Sequence, residues 1–290
     1  MSMVRRAWAG RRRGLRCVLL IALAVAVTGC AQGRTVVPVR MQPAASLPSP
    51  IIPDLSSYEA TVRTIAGVIT RDIGLPLPDT VMVYVYSSRE VFEQGLVADG
   101  QVSRMRAAEL SDFAIGVGKR RQLLLHHERN VASTEWVRLV AHELAHVSQI
   151  EMAEGEGRAE QWLAEGMAEW VSFRVLERLG VDTVARRRCL AIATIRDHAP
   201  ILARRLDLET LGTSPGFTAR HLREGSQATY QMSYLLADYL IAREGFGSLV
   251  EYFRSFARRA DRRANFQTAF GQPLREFEQE AVVHLAKFRQ

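Results

Sequence analysis

The stretch Trp136-Val-Arg-Leu-Val-Ala-His-Glu-Leu-Ala-His-Val147 decides how this 290-residue chain is read. It holds His142-Glu143-Leu144-Ala145-His146, an H-E-x-x-H pattern. Val137, Val140, Ala141, Leu144 and Val147 recur at the steps of an amphipathic helix, and no Pro or Gly interrupts residues 134–153. Ser133 or Thr134 can cap that helix, and Glu135 suits the positive end of its dipole. On a helix, His142 and His146 stand one turn apart on one face, so both imidazoles can hold one small cation. Glu143, beside the first of them, is then placed to take a proton from water next to the cation.

Working outward, a second amphipathic stretch opens with Trp162-Leu-Ala-Glu-Gly-Met-Ala-Glu-Trp170 and runs to Gly180. Residues 154–158 between the two are polar and contain two glycines, a turn that lets the second helix fold back on the first. That brings in Glu165 as a third ligand. Two His and one Glu leave a fourth position open, the arrangement of a catalytic rather than a structural zinc site. Glu169, one turn further along the same face, can accept a hydrogen bond from the free ring nitrogen of a liganding His.

The H-E-x-x-H motif, a spacer of 18 residues and Glu165 inside Trp162-Leu-Ala-Glu-Gly-Met-Ala168 resemble the gluzincin metallopeptidases. The Trp-Leu-x-Glu-Gly-x-Ala context is similar to the membrane alanyl aminopeptidase type, and the size and layout resemble the small bacterial peptidase MA-like proteins. The resemblance implies a zincin-like α+β fold: a small mixed sheet packed on the H-E-x-x-H helix, followed by a mainly helical C-terminal half. It also implies a Zn²⁺ cofactor held by His142, His146 and Glu165, with Glu143 as general base and a peptide or protein as substrate. In such folds an edge strand borders the cleft and pairs with extended substrate. Residues 122–125 are the candidate strand here, with an ordinary core hairpin as the alternative. A Tyr or His from the helical half donates to the oxyanion in similar enzymes. Tyr230 is the first choice, Tyr234 and His221 are the alternates, and a core Tyr with a satisfied hydroxyl is the competing reading. Two departures stand out. The Gly-x-Met-Glu-Asn segment with which the aminopeptidase type grips an amino terminus is absent, and Glu169 stands where thermolysin-like members carry Asp.

All but one unit of the net charge of +7 lies at the start of the chain. Residues 1–29 carry six Arg and no acid, so the other 32 of 38 basic residues face 31 acids. No nucleic-acid surface is expected from so balanced a remainder. The basic leader runs into an apolar stretch, residues 17–27, too short to span a bilayer comfortably and suited to a signal peptide. It ends in Val27-Thr28-Gly29-Cys30, which resembles a bacterial lipobox, with Cys30 as the lipidation site and a membrane as partner through that lipid. The expected location is therefore the cell envelope. The expected division is signal peptide 1–29, Pro-containing tether 30–53, and a metallopeptidase domain 54–290 with an α/β part, 54–130, and a helical part, 131–290. Cys189 is then the remaining thiol, expected buried and structural.

Periodicity predicts a helix over residues 56–73, a β-branched strand over 80–86, and a short helix behind a Ser87/Glu90 capping box. Strands over 113–118 and 122–126 are predicted around a turn at 118–121. His126 and His127 alternate across the second of these, which separates them as ligands, and they read as surface residues. Further helices are predicted over 183–198, ending at Pro200, and over 227–243, 249–259 behind Ser248/Glu251, and 274–287 after Pro273. Residues 212–216 read as a loop. The Arg clusters at 186–188 and 262–263 read as solvated helix faces. A non-catalytic envelope lipoprotein that binds peptides or proteins is the rival function. The intact Glu143 argues against it, because a structural zinc site has no use for that carboxylate.

Overall fold

The computed structural model describes residues 33–126, 130–155, 159–198 and 206–289. Expectations on the leader, Cys30, His127 and Pro200 lie outside the described residues. The fold is α+β, with a four-stranded mixed sheet and a helical C-terminal half.

The sheet runs β1-β2-β4-β3, from β1 (Arg34–Arg40), β2 (Thr80–Tyr86), β3 (Gly116–Lys119) and β4 (Gln122–His126). β1 lies antiparallel to β2, β2 parallel to β4, and β3 antiparallel to β4. The parallel pair needs a crossover, supplied by α2 (Arg89–Ala98) and α3 (Arg104–Phe113). Alternation along β2 sends Val81, Val83 and Val85 to one face, where they join the main core with Leu123 and Leu125. Tyr86 goes to the other face, where it packs with Leu124 of β4, Phe92 and Leu96 of α2 and Ala107 of α3. Covering the first face are α1 (Tyr58–Gly67), which continues as a wider π-turn over Val68–Ile73, and α4 (Thr134–Ala153). Buried side chains of this size contribute about 1.5–3 kcal/mol each, so the apolar face of α4 is fixed firmly against the sheet.

The helical half comprises α5 (Gln161–Arg178), α6 (Val184–Asp197), α7 (Leu208–Leu211), α8 (Ser214–Glu224), α9 (Ser226–Glu244), α10 (Phe246–Ser255), α11 (Arg262–Phe270) and α12 (Leu274–Ala286). α5 is its centre, packed between α4 and α9. It follows α4 as an antiparallel neighbour, after Glu154 closes α4 in the left-handed conformation at φ 52°.

Several expectations are corrected. The tether is not free chain: Arg34–Arg40 form β1, the Met41 N–H donates to Asp79 O at 2.8 Å, and Thr64 of α1 exchanges hydrogen bonds with the Asp54 backbone. The candidate substrate strand 122–125 is β4, which is interior, with β2 on one side and β3 on the other. β3 is the edge. It starts at Gly116, because Phe113 closes α3 instead. Ser88, not Ser87, caps α2 by accepting the Val91 N–H. α10 starts at Phe246, and the Ser248 hydroxyl donates back to Glu244 O at 2.8 Å instead of capping. Residues 214–216 open α8, with the Thr213 side chain accepting the Gly216 N–H. Cys189 is exposed on α6. Two arginines of the clusters are drawn in from solvent by ion pairs, Arg187 with Asp182 and Glu135 and Arg262 with Glu209, whereas Arg186, Arg188 and Arg263 stay on the solvated face, paired there with Asp182, Asp238 and Glu209.

One buried acid makes stability depend on pH. Glu160, at the N-terminus of α5, has no solvent exposure, and its carboxylate has Arg262 Nε at 3.2 Å. Burial pushes its carboxyl up to about 7, against the pull of Arg262. The folded state therefore holds a proton that the unfolded chain releases near its ordinary value of 4.5. Stability falls as pH rises from about 4.5 to 7 and levels off above. Glu160→Gln is expected to gain about 3 kcal/mol over wild type at pH 8 and to match it at pH 4. Denaturation midpoints at the two pH values measure this, and an equal gap at both would rule it out.

Candidate metal centre

α4 and α5 face each other across the centre. The Ser133 side chain caps α4 by accepting the Trp136 N–H, and the uninterrupted helix that follows carries His142 and Glu143 into a buried position and His146 into a partly buried one beside them. α5 brings Glu165 and Glu169 against them. His142 Nε2 lies 3.1 Å from His146 Nε2 and 3.2 Å from Glu165 Oε2, and His146 Nε2 lies 3.3 Å from that same oxygen. Ligand bonds of about 2.0–2.1 Å in a tetrahedral array set donor atoms roughly 3.3 Å apart. The triangle therefore has the size of one face of such an array. This His-His-Glu group can hold a metal ion.

Each donor is aimed by a second contact. His142 Nδ1 is 3.3 Å from Glu169 Oε1. His146 Nδ1 is 2.9 Å from Gln149 Oε1, while Gln149 Nε2 donates to Ala164 O at 2.8 Å. That second bond fixes the Gln149 amide, so Nδ1 of His146 carries the hydrogen and Nε2 offers its lone pair to the triangle. Glu165 Oε1 accepts from Gln161 Nε2 at 2.7 Å, and Gln161 Oε1 accepts from Ser214 Oγ at 2.8 Å. Arg138 Nη1 donates to Glu169 Oε1 at 2.6 Å.

The field in the centre favours a cation. Burial works against charge on His142, yet Glu165 and Glu169 raise its pKa to about 10. Burial also opposes ionisation of Glu165, but the His146 and His142 imidazoles outweigh it and hold the carboxyl well below its ordinary value. Glu169 is likewise lowered to about 2, burial being overcome by Arg138 and His142. Two ionised carboxylates around two imidazoles call for positive charge, as protons or as a metal ion.

Glu143 stands apart from the triangle. Its Oε2 accepts the Gly118 N–H of β3 at 2.6 Å. Burial pushes its carboxyl above the ordinary value, and Glu165 adds to this against the opposing imidazoles and the Gly118 N–H. Glycine is required on β3. A Cβ at residue 118 would fall 2.3 Å from the Glu143 carbonyl oxygen, and one at residue 116 would fall 2.9 Å from Glu143 Oε1.

Of the three oxyanion candidates, Tyr230 lines the centre and His221 stands behind it. The Tyr230 ring is 6.0 Å from that of His142 and 5.9 Å from that of His221. Burial, with Glu165, Glu143 and Glu169 adding to it, pushes the Tyr230 phenol well above its ordinary value, so it keeps its proton. Burial lowers His221, against the pull of Glu165. Tyr234 is fully buried beside Phe173, with ring centroids 4.7 Å apart, and belongs to the core.

Two hollows meet at the centre and share His142, Glu143, Tyr230, Gly116 and Phe113 as walls. One, of about 240 Å³, continues past His146, Ile150 and Phe217. The other, of about 520 Å³, continues past Leu139, Arg138 and Leu190. Gln149, Gln161, Arg138 and Gly118 were not singled out from the sequence. Arg138 falls one turn before His142, and Gly-x-Gly in a strand is a sign of close backbone approach, so two of the four carry a signal. Compared with protein-family models, curated proteins and solved structures, the chain matches none.

Proposed function

We propose that the protein is a zinc-dependent peptidase of the gluzincin type, with a zincin-like fold, tethered to the cell envelope through lipid on Cys30. The observation that carries this reading is the juxtaposition of the His142–His146–Glu165 triangle with a separate buried carboxylate, Glu143, where two hollows meet. Zinc held by the three ligands supplies Lewis acidity toward water and a carbonyl oxygen. Glu143 accepts the proton of the attacking water and delivers it to the leaving amine. The Gly118 N–H holds that carboxylate in place through one oxygen and leaves the other free for the transfer. Tyr230, protonated and beside His142, donates to the oxyanion.

Substrate polypeptide lies extended along β3, the edge of the sheet. The His126 N–H donates to Ile115 O, so 115 and 117 face β4 while Gly116 and Gly118 turn their backbone groups to the cleft; the Gly118 N–H is held by Glu143, which leaves the Gly116 backbone and the Gly118 carbonyl for substrate. Two-sided hollows suit a chain that continues in both directions from the cleaved bond. Among the described residues no helix is long and apolar enough to cross a membrane.

The test is cleavage of a mixed peptide library by the purified full-length protein. Activity is expected to disappear on chelation and to return on addition of zinc. A folded, zinc-loaded protein that leaves the library intact would overturn the reading.

A further inference from the structure

We propose that Arg138 is a positioning residue for the metal centre: it ends a chain of ion pairs that holds the Glu169 carboxylate against His142. This rests on the metal-centre reading above. Arg138 is one turn before His142 on α4, whereas Glu169 is on α5, so its guanidinium joins the two helices that supply the ligands. Its Nη1 donates to Glu169 Oε1 at 2.6 Å, the same oxygen that lies 3.3 Å from His142 Nδ1.

The chain continues away from the metal. Arg138 Nε donates to Glu135 Oε2 at 2.9 Å. Glu135 Oε1 accepts from Arg187 Nη1 at 3.0 Å and Nη2 at 3.1 Å, and Arg187 Nε donates to Asp182 Oδ2 at 2.7 Å. Charge alternates from Asp182 through Arg187, Glu135 and Arg138 to Glu169. The guanidinium fork is gripped from two directions, so it cannot turn from Glu169 without giving up Glu135. This pinning matters because the other oxygen of Glu169, Oε2, is buried with no hydrogen-bond partner among the described residues. Without Arg138 the carboxylate is free to rotate away from His142 Nδ1, and the ring loses the charged neighbour 3.3 Å away that holds its Nε2 toward the ligand triangle. The chain also gives Arg187, in the arginine cluster of α6, a function at long range.

The test is zinc affinity, measured by competition with a chromophoric chelator on the full-length protein, with thermal unfolding in parallel. Arg138→Gln is expected to weaken zinc binding by about 10–100-fold, as is Glu169→Gln. The double variant is expected to be no weaker than the weaker single one, because both act through one bond. Arg138→Lys keeps the charge without the fork and is expected to fall between wild type and Arg138→Gln. It carries the test if Arg138→Gln does not fold. Wild-type zinc affinity in the folded Arg138 variants, with only a lowered melting temperature, would overturn the proposal, as would losses that multiply in the double variant. A wild-type protein that takes up no zinc overturns the metal-centre reading itself, and this proposal with it.

Discussion

Glu143→Gln is expected to lower the rate of peptide hydrolysis by about 10²–10⁴-fold while the protein keeps its zinc and its fold. The geometry separates the two properties. Glu143 contributes no atom to the His142–His146–Glu165 triangle, so the ligand set survives the change. Its one strong contact is the Gly118 N–H, and a Gln side-chain oxygen of the same reach can accept that bond. What Gln cannot do is accept a proton from water at neutral pH. Steady-state rates, zinc content and melting temperature measured on one preparation would separate these effects. Activity within a few-fold of wild type would remove Glu143 from the role of base. Loss of zinc would make it part of the ligand shell instead.

Gly166→Ala is expected to destabilise the protein by about 1–3 kcal/mol, although helix propensity alone predicts a gain of about 1 kcal/mol. Gly166 follows the ligand Glu165 on α5, at the point where α9 crosses. A Cβ there would lie 2.2 Å from Ser233 O and 2.8 Å from Ala237 Cβ. The nearer atom is a backbone oxygen inside α9, so the clash cannot be relieved by a rotamer change and the helices must part. Moving α5 by a fraction of an ångström also moves Glu165, so zinc affinity is expected to fall along with stability. For a folded unit of this size the melting temperature should drop by roughly 2–10 °C. A variant as stable as wild type would mean that α5 and α9 are more loosely packed than their backbones indicate.

The centre was legible in the sequence because its parts are local. His142, Glu143 and His146 share one helix whose cap, apolar spacing and freedom from Pro and Gly can be read within 20 residues. Glu165 and Glu169 needed only the next helix and a turn. What sequence reading missed depends on distant pairing. Residues 34–40, with Pro38 and three charged or polar neighbours, look like a tether. They become a strand because Arg34 to Arg40 pair in register with Tyr86 to Thr80. The order β2-β4-β3 follows from a crossover, and local patterning cannot say which strand of a hairpin ends outermost. α8 was missed because Thr213-Ser214-Pro215-Gly216 uses turn residues, although Pro in the first turn is also how helices begin. Gln149 and Gln161 escaped notice because an amide on a helix has no signature until its partner is in place.

Among the described residues the sheet has two unpaired edges, and each is guarded against a strand from a second copy of the chain. On β1 the pair Gly33–Ser87 is hydrogen-bonded, with the Ser87 N–H donating to Gly33 O at 2.7 Å, so even-numbered residues turn outward. Pro38 is one of them and has no N–H to offer, and Arg34 and Arg40 flank the same edge with charge. On β3 the strand is only four residues long, and its outward Gly118 N–H is already held by Glu143. The carboxylate that carries the proton in the proposed reaction thereby also blunts a surface on which this protein would otherwise stick to itself.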